Sequence, residues 1–296
     1  MSPVYGNESI MSDAENEFLS HLPPNTPVFR YDPQCSLESL LPPISPYDCF
    51  VVIKAFPSEV IDELDEQLPG RLDYSSQLQT LILKIPSQPH EEAAGKFEGV
   101  LTVLATQMKV FRRLHYLGAT RVDGKDRKKQ ADRAWMPVRQ GGQFPTVALE
   151  VGYPETAAKL EKDITWWLHA SKGRVKMGIT IDIKRGSGNI EIKSWVTEPV
   201  PQHIYITMHQ RQVVDRRCNT QSPPQITQRI LIKKGKNGQE PTITGGDLVI
   251  PFKSLFLTEP GEGESDFVMT EDMLVHDIAE LVWAAIENEE AKKRPN

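Results

Sequence analysis

The strongest constraint on the fold is the run from Thr146 to Val196, where the hydrophobic period changes twice. Thr146-Val147-Ala148-Leu149-Glu150-Val151 is apolar enough for a central strand and carries one carboxylate near its end. Pro154 stands where a first helical residue is favoured. From there to about Ala170, Ala157, Leu160, Ile164, Trp167 and Leu168 share one face, with Glu155, Lys159, Lys162 and Trp166 opposite. From Arg174 to Ile183 the period drops to two: Val175, Met177, Ile179, Ile181 and Ile183 alternate with Lys176, Gly178, Thr180 and Asp182. Gly186-Ser187-Gly188-Asn189 then turns the chain into a further strand over 190–196. A carboxylate in a buried strand is costly unless it is paired or coordinates a metal. Glu150 is therefore the first candidate for a functional role.

The flanking sequence extends the pattern. Residues 1–48 form a proline-rich, largely irregular arm, and 49–296 are expected to form one globular domain. Cys49 to Ile53 reads as a strand, and Pro57-Ser58-Glu59 opens a helix with Val60, Ile61, Leu64 and Leu68 at helical spacing. Leu78 to Ile85 fits a strand or an apolar helix. From His90 to about Tyr116, Ala93, Phe97, Val100, Leu101, Leu104, Met108, Phe111 and His115 predict one helix stopped by Gly118. Lys109, Arg112 and Arg113 would then complement its dipole. Asp123-Gly124 between short extended runs signals a hairpin. Past residue 199 the chain is β-rich, with alternation over His203 to Val214 and Ile226 to Lys233, a short apolar run at Leu248 to Phe252, and a last helix from Thr270.

Composition excludes several function classes. With 296 residues and 39% hydrophobic content the chain can bury a real core, and its net charge of −6 argues against coating nucleic acid by bulk charge. Cys35, Cys49 and Cys218 fall in no disulfide or zinc spacing, which favours a reducing compartment. An N-terminus without a signal-peptide pattern, and no long apolar run, predict an intracellular protein of cytoplasm or nucleus, without a membrane anchor. Neither a GxSxG elbow nor a GxGxxG or Walker spelling occurs. Oligomeric state is left open.

A second carboxylate, Asp132, precedes the apolar run Ala134-Trp135-Met136 just upstream of the Glu150 strand. Two carboxylates with open positions are a reasonable minimum for Mg²⁺, or Mn²⁺, and such a cation lowers the pKa of a bound water and stabilises a phosphoryl oxygen. Arg121, Lys125, Arg127, Lys128, Lys129 and Arg133 surround the hairpin, placed equally well for phosphates or for water. The order helix, strand, strand with Asp132, strand with Glu150, helix, strand over residues 90 to 198 resembles the PD-(D/E)XK, or restriction endonuclease-like, superfamily. Ala131-Asp132 stands where that family has Pro-Asp, and Glu150-Val151-Gly152 where it has (D/E)-X-K. Leu149-Glu150-Val151-Gly152-Tyr153, Asp163 to Leu168 and Leu248 to Phe252 are also similar to a group of uncharacterised fungal proteins, which ties the β-rich extension and helix over 199–290 to the core.

The resemblance implies an α+β fold, a mixed sheet flanked by helices, and a Mg²⁺-dependent endonuclease hydrolysing phosphodiester bonds in DNA. Asp132 and Glu150 would hold the metal. With Gly152 in place of the motif lysine, Lys159 or Lys162 on the following helix would supply the ammonium, Lys176 being a third option. The alternative is a catalytically degenerate member of that fold that serves as a binding or scaffold module.

Overall fold

The computed structural model describes residues 12–41, 45–64, 68–139, 141–153, 157–197, 222–236 and 238–292. The chain begins with α1 (Asp13–Leu19), β1 (Val28–Arg30), β2 (Cys49–Lys54), α2 (Ser58–Leu64), β3 (Arg71–Ser75) and β4 (Thr80–Ile85). The long helix α3 (Gln88–Gln107) and the short strand β5 (Leu114–Tyr116) lead to the hairpin β6 (Arg121–Asp123) and β7 (Arg127–Gln130). Next come β8 (Arg133–Pro137), β9 (Val147–Gly152), α4 (Ala157–Ala170), β10 (Met177–Ile183) and β11 (Ile190–Val196). The last part holds β12 (Gln225–Lys233), β13 (Thr242–Thr244), β14 (Leu248–Ile250), α5 (Phe252–Phe256), β15 (Phe267–Met269) and, after a π-helical segment Met273–Ala279, α6 (Glu280–Ala291).

The protein is α+β, with two mixed sheets and helices packed on them. A six-stranded sheet has the order β1-β2-β4-β3-β7-β6 and a seven-stranded one the order β13-β12-β11-β10-β9-β8-β5. In the second sheet β9 and β10 run parallel, joined through α4, while β8 and β11 are antiparallel to their neighbours. The succession α3, β5, β8, β9, α4, β10 is the order expected for a restriction endonuclease-like core, with β6 and β7 leaving it to join the other sheet.

Strand period two gives the first sheet two unlike faces. Val51, Ile53, Leu72, Tyr74, Leu81 and Leu83 pack with Phe56 and Ile61 into an apolar core. Phe50, Val52 and Ile82 point the other way and meet Phe18, Leu19 and Leu22 in and just beyond α1. Alternate positions bring Arg71, Asp73, Lys84, Arg127 and Lys129 to that second face, where Arg71 pairs in register with Lys84 and Asp73 with Lys129. In the second sheet Leu149, Val151, Ile179 and Ile181 face α3 and α6, while Ala148 packs with Ile164 and Trp167 of α4. Both faces of β10 are consequently buried, including Thr180 and Asp182.

Two expectations are corrected and one open reading is settled. The described part of the N-terminal arm contributes α1, β1 in parallel register with β2, and a 3-10 turn at Leu37–Leu40. The helix expected to reach Tyr116 ends at Gln107, because Lys109 takes a left-handed φ of 61° and Leu114 then enters the sheet beside Pro137. The apolar spacing of Phe111 and His115 imitates a continuing helix, yet both side chains are exposed. Thr80–Ile85, open from sequence, is a strand. The alternating run over 203–214, Pro154, Glu155 and Cys218 lie outside the described residues. Among the described residues no helix is long and apolar enough to cross a membrane.

Helix α4 approaches the sheet closely at Gly178, where a Cβ would meet Cγ2 and Cδ1 of Ile164 at 2.9 Å. Gly178→Val is expected to destabilise the fold by about 1–3 kcal/mol through overpacking, read as a lower urea midpoint with an unchanged slope.

Candidate functional site

Asp132 lies one residue before β8, opposite Glu150, and its backbone N–H donates to Leu149 at 3.2 Å. Its carboxylate folds over the β9 backbone, where Oδ2 accepts from the Val151 N–H at 2.7 Å and from Lys84 Nζ at 3.1 Å. Lys84 Nζ also donates to the Val151 carbonyl at 2.6 Å. The other oxygen, Oδ1, is 3.0 Å from His90 Nε2 in an ion pair, and 3.8 Å from Arg71 Nε. His90 sits in the first turn of α3, capped by Ser87, and its Nδ1 is 2.8 Å from Asp48 Oδ2. Asp48 is held in turn by the N–H groups of Ser87 and Tyr153.

The imidazole therefore bridges two buried carboxylates. Burial alone would discharge it, but Asp132 and Asp48 overcome that and push its pKa up to about 9. Asp132 is held well below the usual carboxylate range by His90 and Lys84, against the cost of its burial.

Glu150 sends its carboxylate toward α4, where Oε1 accepts from Trp167 Nε1 at 2.6 Å. Lys129 Nζ lies 3.5 Å from the same oxygen, 3.0 Å from Asp163 Oδ1 and 3.4 Å from Asp73 Oδ2. Arg127 grips Asp73 with two guanidinium nitrogens, and Lys159 closes on Asp163 one helical turn away. Burial raises Glu150 to about 7, an effect that Asp132 and Asp163 reinforce and Lys129 opposes. The ammonium of Lys129, surrounded by Asp163, Asp73 and Glu150, is raised despite its burial.

The structure sets Asp132 opposite Glu150 in strand register, each with its own partners, and gives neither of the proposed helix lysines to them. Lys159 turns inward to Asp163, and Lys162 reaches Glu17 of α1. Lys176 donates to the Gly173 carbonyl. The ammoniums beside the pair come from the other sheet, Lys84 and Lys129. Lys84 carried a readable signal, a cation interrupting the apolar run Leu81-Ile82-Leu83-Lys84-Ile85.

The basic ribbon is also spent internally. Arg121 and Lys128 pair with Asp62, Arg127 and Lys129 with Asp73, and Arg133 with Glu91 and Glu98, which leaves Lys125 exposed at the hairpin tip.

These surroundings do not fit Mg²⁺ as they stand. The cation needs carboxylate oxygens with positions left for water, whereas those of Asp132 face three cationic side chains. Asp48, Asp73, Asp132, Glu150 and Asp163 are matched by Lys84, His90, Arg127, Lys129 and Lys159, and Arg71 by Glu91, so the cluster neutralises itself. Among the described residues no group of three or more His, Cys, Asp or Glu is arranged to hold a metal ion.

Removing one partner from such a cluster leaves buried charge uncompensated. Asp132→Ala is expected to cost about 3–5 kcal/mol, measured by urea denaturation followed by circular dichroism. The pH profile follows from linkage. Glu150 is protonated more readily in the folded state than at its ordinary 4.5, and His90 more readily than at 6.5. The folded chain thus binds extra protons from pH 4.5 to about 7 through Glu150 and from 6.5 to about 9 through His90, and stability falls as pH rises across both windows. Below 3.8 the lowered Asp132, Asp48 and Asp73 reverse the slope. Glu150→Gln should flatten the segment between 4.5 and 7, and an unchanged profile in that variant would remove Glu150 as its source.

No family model matches this chain, and no curated protein does either. Among solved structures the chain is similar to one described as a "putative nuclease belonging to DUF820" from Anabaena variabilis, with a TM-score of 0.38 and 13% identity over 76% of this chain and 98% of the other.

Proposed function

We propose that the chain is a catalytically degenerate nuclease-fold protein acting as a binding or scaffold module, with its carboxylate pair kept to join two sheets. The observation that carries this reading is the state of the pair: Asp132 and Glu150 are 1% and 2% exposed, and each rests against an ammonium of the chain itself. Gly152 and Ala131, standing where the resembled motif has lysine and proline, agree with it.

One observation favours the other reading, a Mg²⁺- or Mn²⁺-dependent endonuclease acting on DNA. Lysine nitrogens do lie beside the carboxylates, 3.1 Å from Asp132 and 3.5 Å from Glu150, although they arrive from β4 and β7 rather than from the motif. In that reading both carboxylates would have to exchange their ammoniums for the metal.

Incubation of the chain with plasmid and single-stranded DNA in Mg²⁺ or Mn²⁺, alongside calorimetric titration of each metal, separates the two. The expected result is intact DNA and no heat of binding. Metal-dependent cutting that disappears in Glu150→Gln, a variant that keeps the side-chain size, would replace this reading with the nuclease one.

A further inference from the structure

Lys109 directly follows the α3 C-cap Met108, but Arg112 and Arg113 have no helix end to complement, since α3 stops at Gln107 and Phe111–Arg113 form a separate 3-10 turn. That turn instead joins the far end of β8 through the Val138 N–H, which donates to the Arg113 carbonyl at 2.9 Å. Between them and α5 lies a cleft of about 450 Å³ lined by Arg112, Arg113, Pro137, Val138, Arg139 and Phe256, with Thr258 at its rim. Three guanidiniums and no carboxylate line it, in a chain of net charge −6.

Arg113 is fixed in place by Glu264 and by the rings of Phe252 and Phe256, 5.8 and 5.1 Å from its Cζ. Arg112 and Arg139 are exposed and have no ion pair among the described residues. Val138 in the cleft is 49% exposed; Phe111, which opens the turn beside it without lining the cleft, is 43% exposed and has its ring against Tyr116, centroids 5.5 Å apart. Guanidinium forks match phosphate geometry, and an exposed aromatic ring offers a stacking surface to an unpaired base.

We propose that this cleft binds the phosphate backbone of single-stranded nucleic acid, with Arg112, Arg113 and Arg139 on successive phosphates and Phe111 stacking a base. A phosphopeptide offers one phosphate at a time, whereas three arginines in one cleft, two of them on a turn opened by an exposed ring, fit a repeating phosphate that carries bases. The site is independent of the carboxylate pair. Asp132 precedes β8 and Arg139 follows it, a separation of roughly 20 Å at about 3.3 Å per residue.

Fluorescence anisotropy of the full 296-residue chain with a labelled 20-nucleotide single strand tests the proposal without reference to cutting. Binding should weaken with added salt, and Arg112→Ala/Arg139→Ala should lower affinity at least tenfold and reduce the salt slope by about 1.5. Phe111→Ala should weaken the single strand more than a duplex of the same sequence, with Tm recorded to confirm that the variants fold. Lys125→Ala, at the hairpin tip, should bind as the unaltered chain does. Absence of binding, binding unmoved by the arginine pair, or a preference for a phosphopeptide over the single strand would each overturn it.

Discussion

Everything around the carboxylate pair depends on a seam of charge buried between two sheets. One side contributes Arg71, Lys84, Arg127, Lys129 and a single acid, Asp73; the other contributes Asp132, Glu150 and Asp163 with two bases, Lys159 and His90. Each half alone would carry an excess of one sign, and withdrawing such a face from water is prohibitive without its complement. The halves therefore desolvate together or not at all. The apolar cores on the outer faces supply the driving force, and the seam fixes the register in which they meet.

That coupling explains where sequence reasoning succeeded. Glu150 in Val147–Gly152 and the alternation from Val175 to Ile183 are local patterns, and local patterns are what period and propensity report. Asp132 and Asp123-Gly124 were readable for the same reason, since a strand start and a hairpin turn are decided by neighbouring residues.

Most of the misses were non-local. Lys159 and Lys162 share a polar stripe in sequence, yet the first is buried against Asp163 and the second reaches α1, because another sheet covers one edge of α4 and not the other. Lys129 and Arg127 read as part of a solvated or phosphate-binding run, while Asp73, more than fifty residues upstream, is the partner that draws them inside. Charge runs report composition; only the partner decides whether they face water. Lys84 is different, because the rule that singled out Glu150, a charge inside an apolar strand, applies to it unchanged.

The same seam bears on how a nuclease-like core could outlive its chemistry. A metal-binding carboxylate pair is a buried negative site that must be neutralised, and two lysines from another sheet, one at each carboxylate, supply the same charge as a divalent cation while also tying two layers together. Once Lys84 and His90 occupy Asp132, and Lys129 occupies Glu150, loss of either carboxylate strands a buried cation. In the degenerate reading proposed above, selection for stability alone would retain both acids, with Gly152 standing where the resembled motif has lysine. On this view an intact carboxylate pair in such a core says little about catalysis until its cationic neighbours are known. The neighbours, more than the acids, distinguish a metal centre from a salt-bridged seam.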